Sequence, residues 1–427
     1  MKHIYNAVKI SLLASIATMF IKTWSLYGTP LKISDVFLFI SFILLIVLIA
    51  KKNISITPPI FKHLIYFVTL FFILVLGTFT SLLLYGHLPF HLILLSYLRI
   101  MGCMFAFIEI IILGKEDKKF IEYAVLSFLF SFLVIPMAYI FPQFISNGLL
   151  MDSSNARFAG LFNDPNYYSN FSIIPIMVSL FLFTKEEKLR YKIIFFVLIS
   201  MSLGFLVWTG SRSGWLGMIG AIFVFLFFEY KANGFKKLRW LFPTILLALC
   251  VGMFLIPATG QKQTRQRAQT LFSQENTNPN KKSNTIPYLS TLTKEQDRGA
   301  IWKQSLLFLK KNSIGYGPSY NNIIDIENNG PHRAVHNFML ESVLLGGIPL
   351  IFLFVFIFKK EKMLNCIIKP KNYFLLSAIL GVFISCFFLD SFESRWVWII
   401  VAIFITAENA GMLLYTDALL VKENYGK

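Results

Sequence analysis

The chain has 427 residues, of which 56% are hydrophobic and 15% are charged, and its net charge is +18. This composition excludes a soluble enzyme and indicates a polytopic membrane protein. In a soluble chain such a charge would suggest a nucleic-acid partner. Here, basic loops that face anionic lipid headgroups account for it, so no nucleic acid is expected.

Twelve apolar stretches have the length of roughly 20 residues that a helix needs to cross a bilayer core. In chain order they cover about 7–27, 33–50, 61–85, 91–113, 120–141, 166–184, 191–208, 213–229, 239–257, 335–358, 372–389 and 395–415. The first stretch follows Lys2 and Lys9 as in a signal peptide, but no small-residue cleavage site follows, so we expect an uncleaved span. The sequence therefore predicts one all-α transmembrane domain over residues 1–427, with about twelve spans.

Basic residues alternate between the two sides of this predicted layout. Loops after even-numbered spans carry clusters such as Lys115, Lys118 and Lys119, or Lys231, Lys236, Lys237 and Arg239. The short loops after odd-numbered spans carry only Lys32, Arg157, Arg212 and, at a span border, Arg395. The positive-inside rule places the first set in the cytoplasm, so both termini are predicted inside and the sparse set outside.

One large outer loop, residues 258–334, is predicted between spans nine and ten. Its first half is rich in polar residues and has too few apolar ones to bury a core. Asp297 can cap an amphipathic helix that runs to about Lys311 and would lie on the outer membrane surface. Gly315 and Gly317 then predict a tight turn.

The charged and polar residues of the outward side occur in compact strings. They are Arg157 with Asn163-Asp164-Pro165-Asn166, Thr209 to Gly214 with Arg212, Asp297-Arg298 with Trp302, His332-Arg333 with His336-Asn337, and Asp390 and Glu393 with Arg395. On topology alone they could converge at one cavity at the membrane surface. Several arginines and a histidine suit a phosphorylated, membrane-borne substrate, because guanidinium groups bind phosphate oxygens bidentately and stay charged.

Each string also has a purely structural interpretation. Arg212 could simply reach lipid headgroups, and residues 163–166 could form an Asx turn that starts span six. His332 and His336 have a spacing that suits a metal on a helix. However, Pro331 crowds the first turn and no clear third ligand stands nearby, so no metal site is expected.

Arg99 lies inside predicted span four, where a guanidinium in hydrocarbon needs a partner or a water-filled cavity. Glu109 is too far along the same helix for a direct pair. Soluble-enzyme patterns are missing from the sequence: it has no glycine-rich phosphate loop after a strand and no nucleophile elbow.

The outward strings, in this order, resemble the O-antigen ligase and polymerase family of bacterial envelope glycosyltransferases. The likeness rests on Gly160 to Asn166, on Thr209 to Gly214, and on Arg298 through Gly317 followed by His336-Asn337-Phe338 and Leu345-Gly346-Gly347. It covers roughly residues 155 to 400, and the twelve-span layout with a long outer loop between spans nine and ten agrees with it.

The resemblance implies a multi-pass enzyme of the bacterial cytoplasmic membrane with its active site on the outer face. Its donor would be an undecaprenyl-diphosphate-linked glycan, transferred with inversion and without metal, nucleotide or other cofactor. Membrane lipids and possible polysaccharide-assembly proteins would be its partners. Of the two activities, polymerase is favoured because Tyr167 and Tyr168 follow the Asn-Asp-Pro-Asn string; transfer to lipid A-core by a ligase is the alternative.

Within the resemblance, Arg212 and Arg298 match arginines expected at the donor diphosphate, and His336 matches the histidine expected near the acceptor. His336 could accept the acceptor proton or only orient the hydroxyl. The predicted substrate-binding residues around them are Arg157, Asn163, Asp164, Asn166, Arg99, His332, Arg333, Asn337 and Arg395. A lipid-linked glycan flippase is the alternative of another class, and Arg99 is the only strong intramembrane charge that favours it.

Overall fold

The fold is known from a computed structural model of the chain. It describes residues 2–133, 150–151, 157–262, 265, 298–327, 337–389 and 392–414, apart from 20, 22–23, 27–28, 53, 55–56, 87, 163, 257–259, 361–362, 369 and 413.

This part of the chain is helical except for one short hairpin. The helices are α1 Lys2–Thr18, α2 Ile33–Ala50, α3 Pro58–Tyr85, α4 Phe90–Glu116, α5 Lys118–Ser127, α6 Pro165–Lys185, α7 Leu189–Trp208, α8 Arg212–Asn233, α9 Phe235–Leu255, α10 Arg298–Lys311, α11 Tyr320–Glu327, α12 Phe338–Lys360, α13 Met363–Ile368, α14 Tyr373–Cys386 and α15 Arg395–Asn409. Short 3-10 turns follow α5 at Phe128–Leu133 and precede α11 at Gly317–Ser319. The hairpin pairs β1, Trp24–Leu26, with β2, Thr29–Leu31.

The all-α membrane architecture is confirmed, while the number of spans is smaller in the described residues than the sequence predicts. Eight helices are long and apolar enough to cross a membrane, and α14 is a shorter apolar helix. They are α2, α3, α4, α6, α7, α8, α9 and α12. Their bounds lie within a few residues of the predicted stretches, because the thickness of the bilayer sets the number of apolar residues in a spanning helix.

The first, fifth and last predicted spans are shorter than expected. α1 ends at Thr18, and strand β1, Trp24–Leu26, lies within the last part of the predicted first span. Pro30, which lies in β2, has no amide hydrogen to donate to a continuing helix. α5 ends at Ser127, and the rest of its predicted span beyond the 3-10 turn lies outside the described residues. α15 ends at Asn409.

Glycines let pairs of helices approach closely, as is common where helices pack in membranes. α8 meets α14 at Gly217 and Gly381: a methyl group on Gly217 would lie 2.4 Å from the Gly381 carbonyl oxygen. α7 meets α9 at Gly204 and Gly252, where a methyl on Gly204 would lie 2.2 Å from the Gly252 oxygen. These contacts set the positions of α7 and α8, whose connecting turn carries Arg212.

α12 is interrupted at Gly347, whose φ of 60° lies in the left-handed region. The turn that follows α10 satisfies the backbone groups freed there: the Tyr316 amide donates to the Leu344 carbonyl (2.7 Å), and the Ile348 amide donates to the Ser313 carbonyl (2.8 Å). Within hydrocarbon, a broken helix is tolerated only where other protein groups pair its backbone. The turn after α10 is therefore part of the transmembrane packing.

The same turn packs against α3 on its other side. Ser81 donates to the Tyr316 carbonyl (2.9 Å), and a methyl on Gly77 would lie 2.6 Å from the Gly317 nitrogen. Gly77 lies about 12 Å along the helix from its end at Tyr85, at 1.5 Å per residue. The predicted helix to Lys311 and the tight turn after it both form. The turn packs between α3 and α12. It therefore lies deeper in the bundle than we expect for a segment that follows a helix on the membrane surface.

We expect Gly347→Ala to destabilise the protein more than Gly86→Ala. Both glycines have a positive φ, which costs an alanine about 1–2 kcal/mol. A methyl on Gly347 would also lie 2.1 Å from the Ser313 oxygen, whereas nothing lies within 4 Å of one on Gly86. Thermal unfolding in detergent measures the difference. Equal losses would mean that the α12 break does not depend on this contact.

Candidate functional site

The first group of outward polar residues is held together by Arg157. Its Nε donates to the Thr209 carbonyl (2.7 Å) and its Nη2 donates to the Asn166 side chain (2.9 Å). Asp164 caps α6 by accepting from the Asn166 amide (2.6 Å). Arg157 therefore ties the start of α6 to the turn between α7 and α8, and two strings that lie far apart in the sequence meet.

Arg212 is the first residue of α8 and follows a tight turn. Gly210 has a φ of 60°, and Ser211 caps the helix by accepting from the Gly214 amide (3.3 Å). The Arg212 side chain is exposed and forms no hydrogen bond or ion pair with a described residue. A helix N-terminus with a guanidinium that no described residue engages attracts anions.

Packed aromatic rings support this first group from below. Phe158 stacks on Trp208 with ring centroids 5.1 Å apart and meets Phe205 edge-on at 4.5 Å. Tyr168 contacts Phe158 edge-on at 5.1 Å. All four rings are buried. The loop that carries Arg157 therefore packs on a rigid apolar cluster, which holds its polar residues in place.

The second group of charges joins α2, α4 and α15. Arg395, the first residue of α15, forms an ion pair with Asp35, and its Nη1 donates to Ser34 (3.4 Å). Arg99 forms an ion pair with Glu393 (3.2 Å), 294 positions away in the sequence. Arg99 thus has the partner that its position in predicted span four required.

The ammonium of Lys32 completes this second group. It lies 5.9 Å from the centre of the Phe162 ring, and no described carboxylate pairs with it. Burial lowers the pKa of Lys32, the Arg395 guanidinium lowers that pKa further, and Asp35 opposes the shift. The Arg395 guanidinium therefore adds positive charge beside Lys32, and Asp35 partly offsets it.

Aromatic rings connect the two groups of charges. Phe162, which follows Gly160 in the Arg157 loop, contacts Lys32 on one side and Phe171 of α6 on the other, with ring centroids 5.4 Å apart. Phe171 in turn meets Trp396, the residue after Arg395, at 6.0 Å. Both groups therefore lie at the same end of the helical bundle.

The start of α12 lies at this end too. The buried Asn337 accepts a hydrogen bond from the Leu340 amide (3.0 Å) and so caps the helix. Phe338 stacks on Phe392, and the Phe392 amide donates to Glu341 (3.1 Å). Glu393, the partner of Arg99, is the next residue. Asn337 is therefore close in the fold to the second group of charges.

The structure thus brings together Arg99, Arg157, Asp164, Asn166, Arg212, Asn337 and Arg395 at one end of the bundle. Asn163, His332, Arg333 and His336 lie outside the described residues, as do residues 258–297 for the most part. Arg298 begins α10, and only its backbone is described. Asp297, the predicted cap of that helix, is likewise not described.

The sequence did not indicate that Asp35 and Glu393 pair with arginines or that Glu341 accepts a hydrogen bond from the Phe392 amide. An acidic residue in the first turn of an apolar span, as Asp35 is in α2, is a usable signal because hydrocarbon rarely holds an unpaired carboxylate. Glu109, which the sequence left without a partner, accepts a hydrogen bond from Ser41 of α2 (2.5 Å).

Comparison with known families gives this geometry a context. Residues 194–355 match the family model described as O-antigen ligase. This part of the chain is similar to O-antigen ligases. It runs from α7 to α12 and includes Arg212, Arg298, His332, Arg333, His336 and Asn337 among the predicted site residues. A search of curated proteins and a search of solved structures found no match.

The resemblance to the O-antigen ligase and polymerase family is therefore confirmed, over a narrower range than the sequence strings suggested. The apolar helices indicate a membrane protein, and the family match supports a role in polysaccharide biosynthesis. In the described residues, no cluster of three histidine, cysteine or acidic side chains has the geometry of a metal site.

We expect Asp35→Asn to lower the stability of the protein more than Glu393→Gln. The pair Asp35–Arg395 is the more buried, with side chains 25% and 16% exposed against 27% and 44% for Glu393–Arg99. Loss of a hydrogen-bonded charge partner costs about 1.5–3 kcal/mol, whereas exposed pairs contribute about 0–1 kcal/mol. Unfolding midpoints of the two variants give the comparison. A larger loss in Glu393→Gln would contradict it.

Proposed function

We propose that this protein is a membrane glycosyltransferase that polymerises undecaprenyl-diphosphate-linked oligosaccharide units into O-antigen or capsular polysaccharide. The observation that carries the proposal is the meeting of Arg157 and Arg212 at one turn beside Lys32, Arg99 and Arg395. Five cationic side chains at one end of a membrane bundle suit a lipid-borne diphosphate. The region that is similar to O-antigen ligases supplies Arg212.

In the proposed reaction, a hydroxyl oxygen of the acceptor sugar attacks the anomeric carbon of the donor glycan. A new glycosidic bond forms as the bond from that carbon to the diphosphate oxygen breaks, with inversion at the carbon. Undecaprenyl diphosphate leaves with the bonding electron pair, and the acceptor proton passes to a base. Negative charge grows on the leaving diphosphate, so fixed cations beside it lower the barrier.

We assign the leaving-group role to Arg212 and Arg298. Arg212 is suited to it because its guanidinium is exposed at a helix N-terminus, where backbone amides add to the attraction for phosphate. Arg157 is engaged with Thr209 and Asn166, so we assign it to holding the turn in place. Arg395 and Arg99 are each paired with a carboxylate, and the second group therefore acts through its net positive charge.

We assign His336 to the acceptor hydroxyl. It directly precedes Asn337, whose side chain caps α12 beside Phe392 and Glu393. With a reference pKa of about 6.5, a histidine can take up the hydroxyl proton near neutral pH. The proposal needs neither a metal ion nor a nucleotide.

The acceptor distinguishes polymerase from ligase. The polymerase reading rests on Tyr167 and Tyr168 after the Asn-Asp-Pro-Asn string, and Tyr168 is buried against Phe158. The description of the matched family favours a ligase, which would transfer to lipid A-core. Purified protein incubated with a lipid-linked repeat unit alone tests both. A ladder of lengthening lipid-linked glycans supports the polymerase, and product that forms only after lipid A-core is added supports the ligase.

We expect Arg212→Lys to be nearly as damaging as Arg212→Ala. Lysine keeps the charge but loses the planar fork that binds two phosphate oxygens at once. Glycan length distribution at matched expression is the measurement, and Arg190→Lys, an exposed arginine at the start of α7, is the control. Wild-type lengths in Arg212→Lys would make Arg212 a headgroup anchor and remove it from the leaving-group site.

We expect His336→Ala to reduce transfer by about a hundredfold or more, the usual contribution of general-base assistance. His332→Ala should have a much smaller effect, because His332 directly follows Pro331 and lies further in the sequence from Phe338, where α12 begins, than His336 does. Reconstituted transfer with EDTA present compares the two variants. Full activity of His336→Ala would exclude it from the reaction, and loss of wild-type activity in EDTA would favour a metal at the two histidines.

A further inference from the structure

A groove opens between α8 and α9 at the end where Gly234 joins them, opposite to the end that carries Arg212. Its volume is about 440 Å³, within the range of roughly 300–1,000 Å³ that is typical of ligand sites. Its walls are almost entirely apolar apart from one guanidinium. The residues that define this α8/α9 groove include Phe223, Leu226, Tyr230, Phe235, Leu238 and Arg239.

The groove exists because each helix packs tightly on a different neighbour. α8 is held against α14 at Gly217 and Gly381, and α9 is held against α7 at Gly204 and Gly252. Pro243 in α9 also lacks the amide hydrogen that would pair with the Arg239 carbonyl, which weakens the helix there. The space between the two helices is thus fixed by the bundle.

Two aromatic side chains of the groove are exposed on the outside of the helical bundle. Phe223 is 71% exposed and Phe235 is 67% exposed, and both belong to helices long and apolar enough to cross a bilayer. No other described helix covers them, so hydrocarbon chains of lipid are the natural neighbours of these rings. The apolar walls therefore suit an acyl chain.

Basic side chains surround the same end of the groove. Arg239 stacks on Trp240 (5.6 Å) and Lys231 lies over Phe227 (4.7 Å), and both are exposed. Within the part of the chain that the structure describes, neither has a carboxylate partner. Lys237 differs, because it pairs with the buried Glu229 (3.8 Å). Arg239 and Lys231 therefore carry charge that is open to a ligand.

We propose that the α8/α9 groove binds one anionic glycerophospholipid, with an acyl chain along Phe223 and Leu238 and the phosphate at Arg239 and Lys231. Charge complementarity selects this occupant, since basic pockets between membrane helices favour anionic headgroups. The stacked guanidinium of Arg239 keeps its N–H edge available to phosphate oxygens. This site is independent of the proposed transferase reaction.

The test is native mass spectrometry of the purified full-length protein titrated with phosphatidylglycerol or phosphatidylcholine. We expect wild type to bind one phosphatidylglycerol in preference to phosphatidylcholine. Arg239→Gln should weaken phosphatidylglycerol binding roughly fivefold, which corresponds to about 1 kcal/mol per basic side chain. Its binding of phosphatidylcholine should not change.

Arg190→Gln is the matched control, because Arg190 is also exposed and stacks on the next aromatic residue, Tyr191, at 4.6 Å. It should leave both lipids unaffected. Leu238→Trp should reduce binding of both lipids by filling the groove, and gel filtration checks that it folds. An equal effect of Arg239→Gln and Arg190→Gln would overturn the proposal, as would retention of a polyprenyl phosphate in place of phosphatidylglycerol.

Discussion

Two backbone hydrogen bonds pair the break in α12 with the turn after α10, and the placement of α10 against α12 depends on them. The Tyr316 amide donates to the Leu344 carbonyl, and the Ile348 amide donates to the Ser313 carbonyl. The turn after α10 therefore pairs backbone groups that a continuous helix would pair internally. Without this exchange, free backbone groups would lie among apolar side chains at a cost of several kcal/mol. These hydrogen bonds also hold the C-terminal end of α10 in place, and Arg298 is the first residue of that helix.

Two of the predicted outward charges are also paired with partners inside the bundle. Arg99 and Arg395 would be costly near hydrocarbon, and each takes a carboxylate from a distant segment. Lys32 and Arg212 have no such partner among the described residues. One end of the bundle thus combines paired charges that stabilise it with unpaired cations that attract an anion. The proposed donor supplies that anion as a diphosphate.

The sequence predicts features whose cause is local. α2 and α6 coincide closely with their predicted stretches because the length of an apolar run depends on bilayer thickness alone. The predicted start of span six does form a helix, which begins at Pro165 with Asp164 as its cap. The glycines at 315 and 317 mark a turn, as predicted.

The sequence does not predict features that depend on which helices become neighbours. The Arg99–Glu393 pair joins residues 294 positions apart, and nothing in either segment identifies the other. Gly346, Gly347 and Pro349 signal a weak point in α12, yet they do not reveal that the turn after α10 repairs it. The hairpin after α1 was also missed, because Trp24 and Leu26 of its first strand were included in the first predicted span.

The central claim is that the cationic end of the bundle faces away from the cytoplasm, where a lipid-linked glycan can be polymerised. Single cysteines at Gln274 and Lys188, in a variant whose four native cysteines are replaced by alanine, test it with an impermeant thiol reagent in intact cells. We predict labelling at position 274 and none at position 188, because the basic loops stay on the cytoplasmic side of the membrane. Labelling at position 188 alone would invert the topology and contradict an outward-facing site.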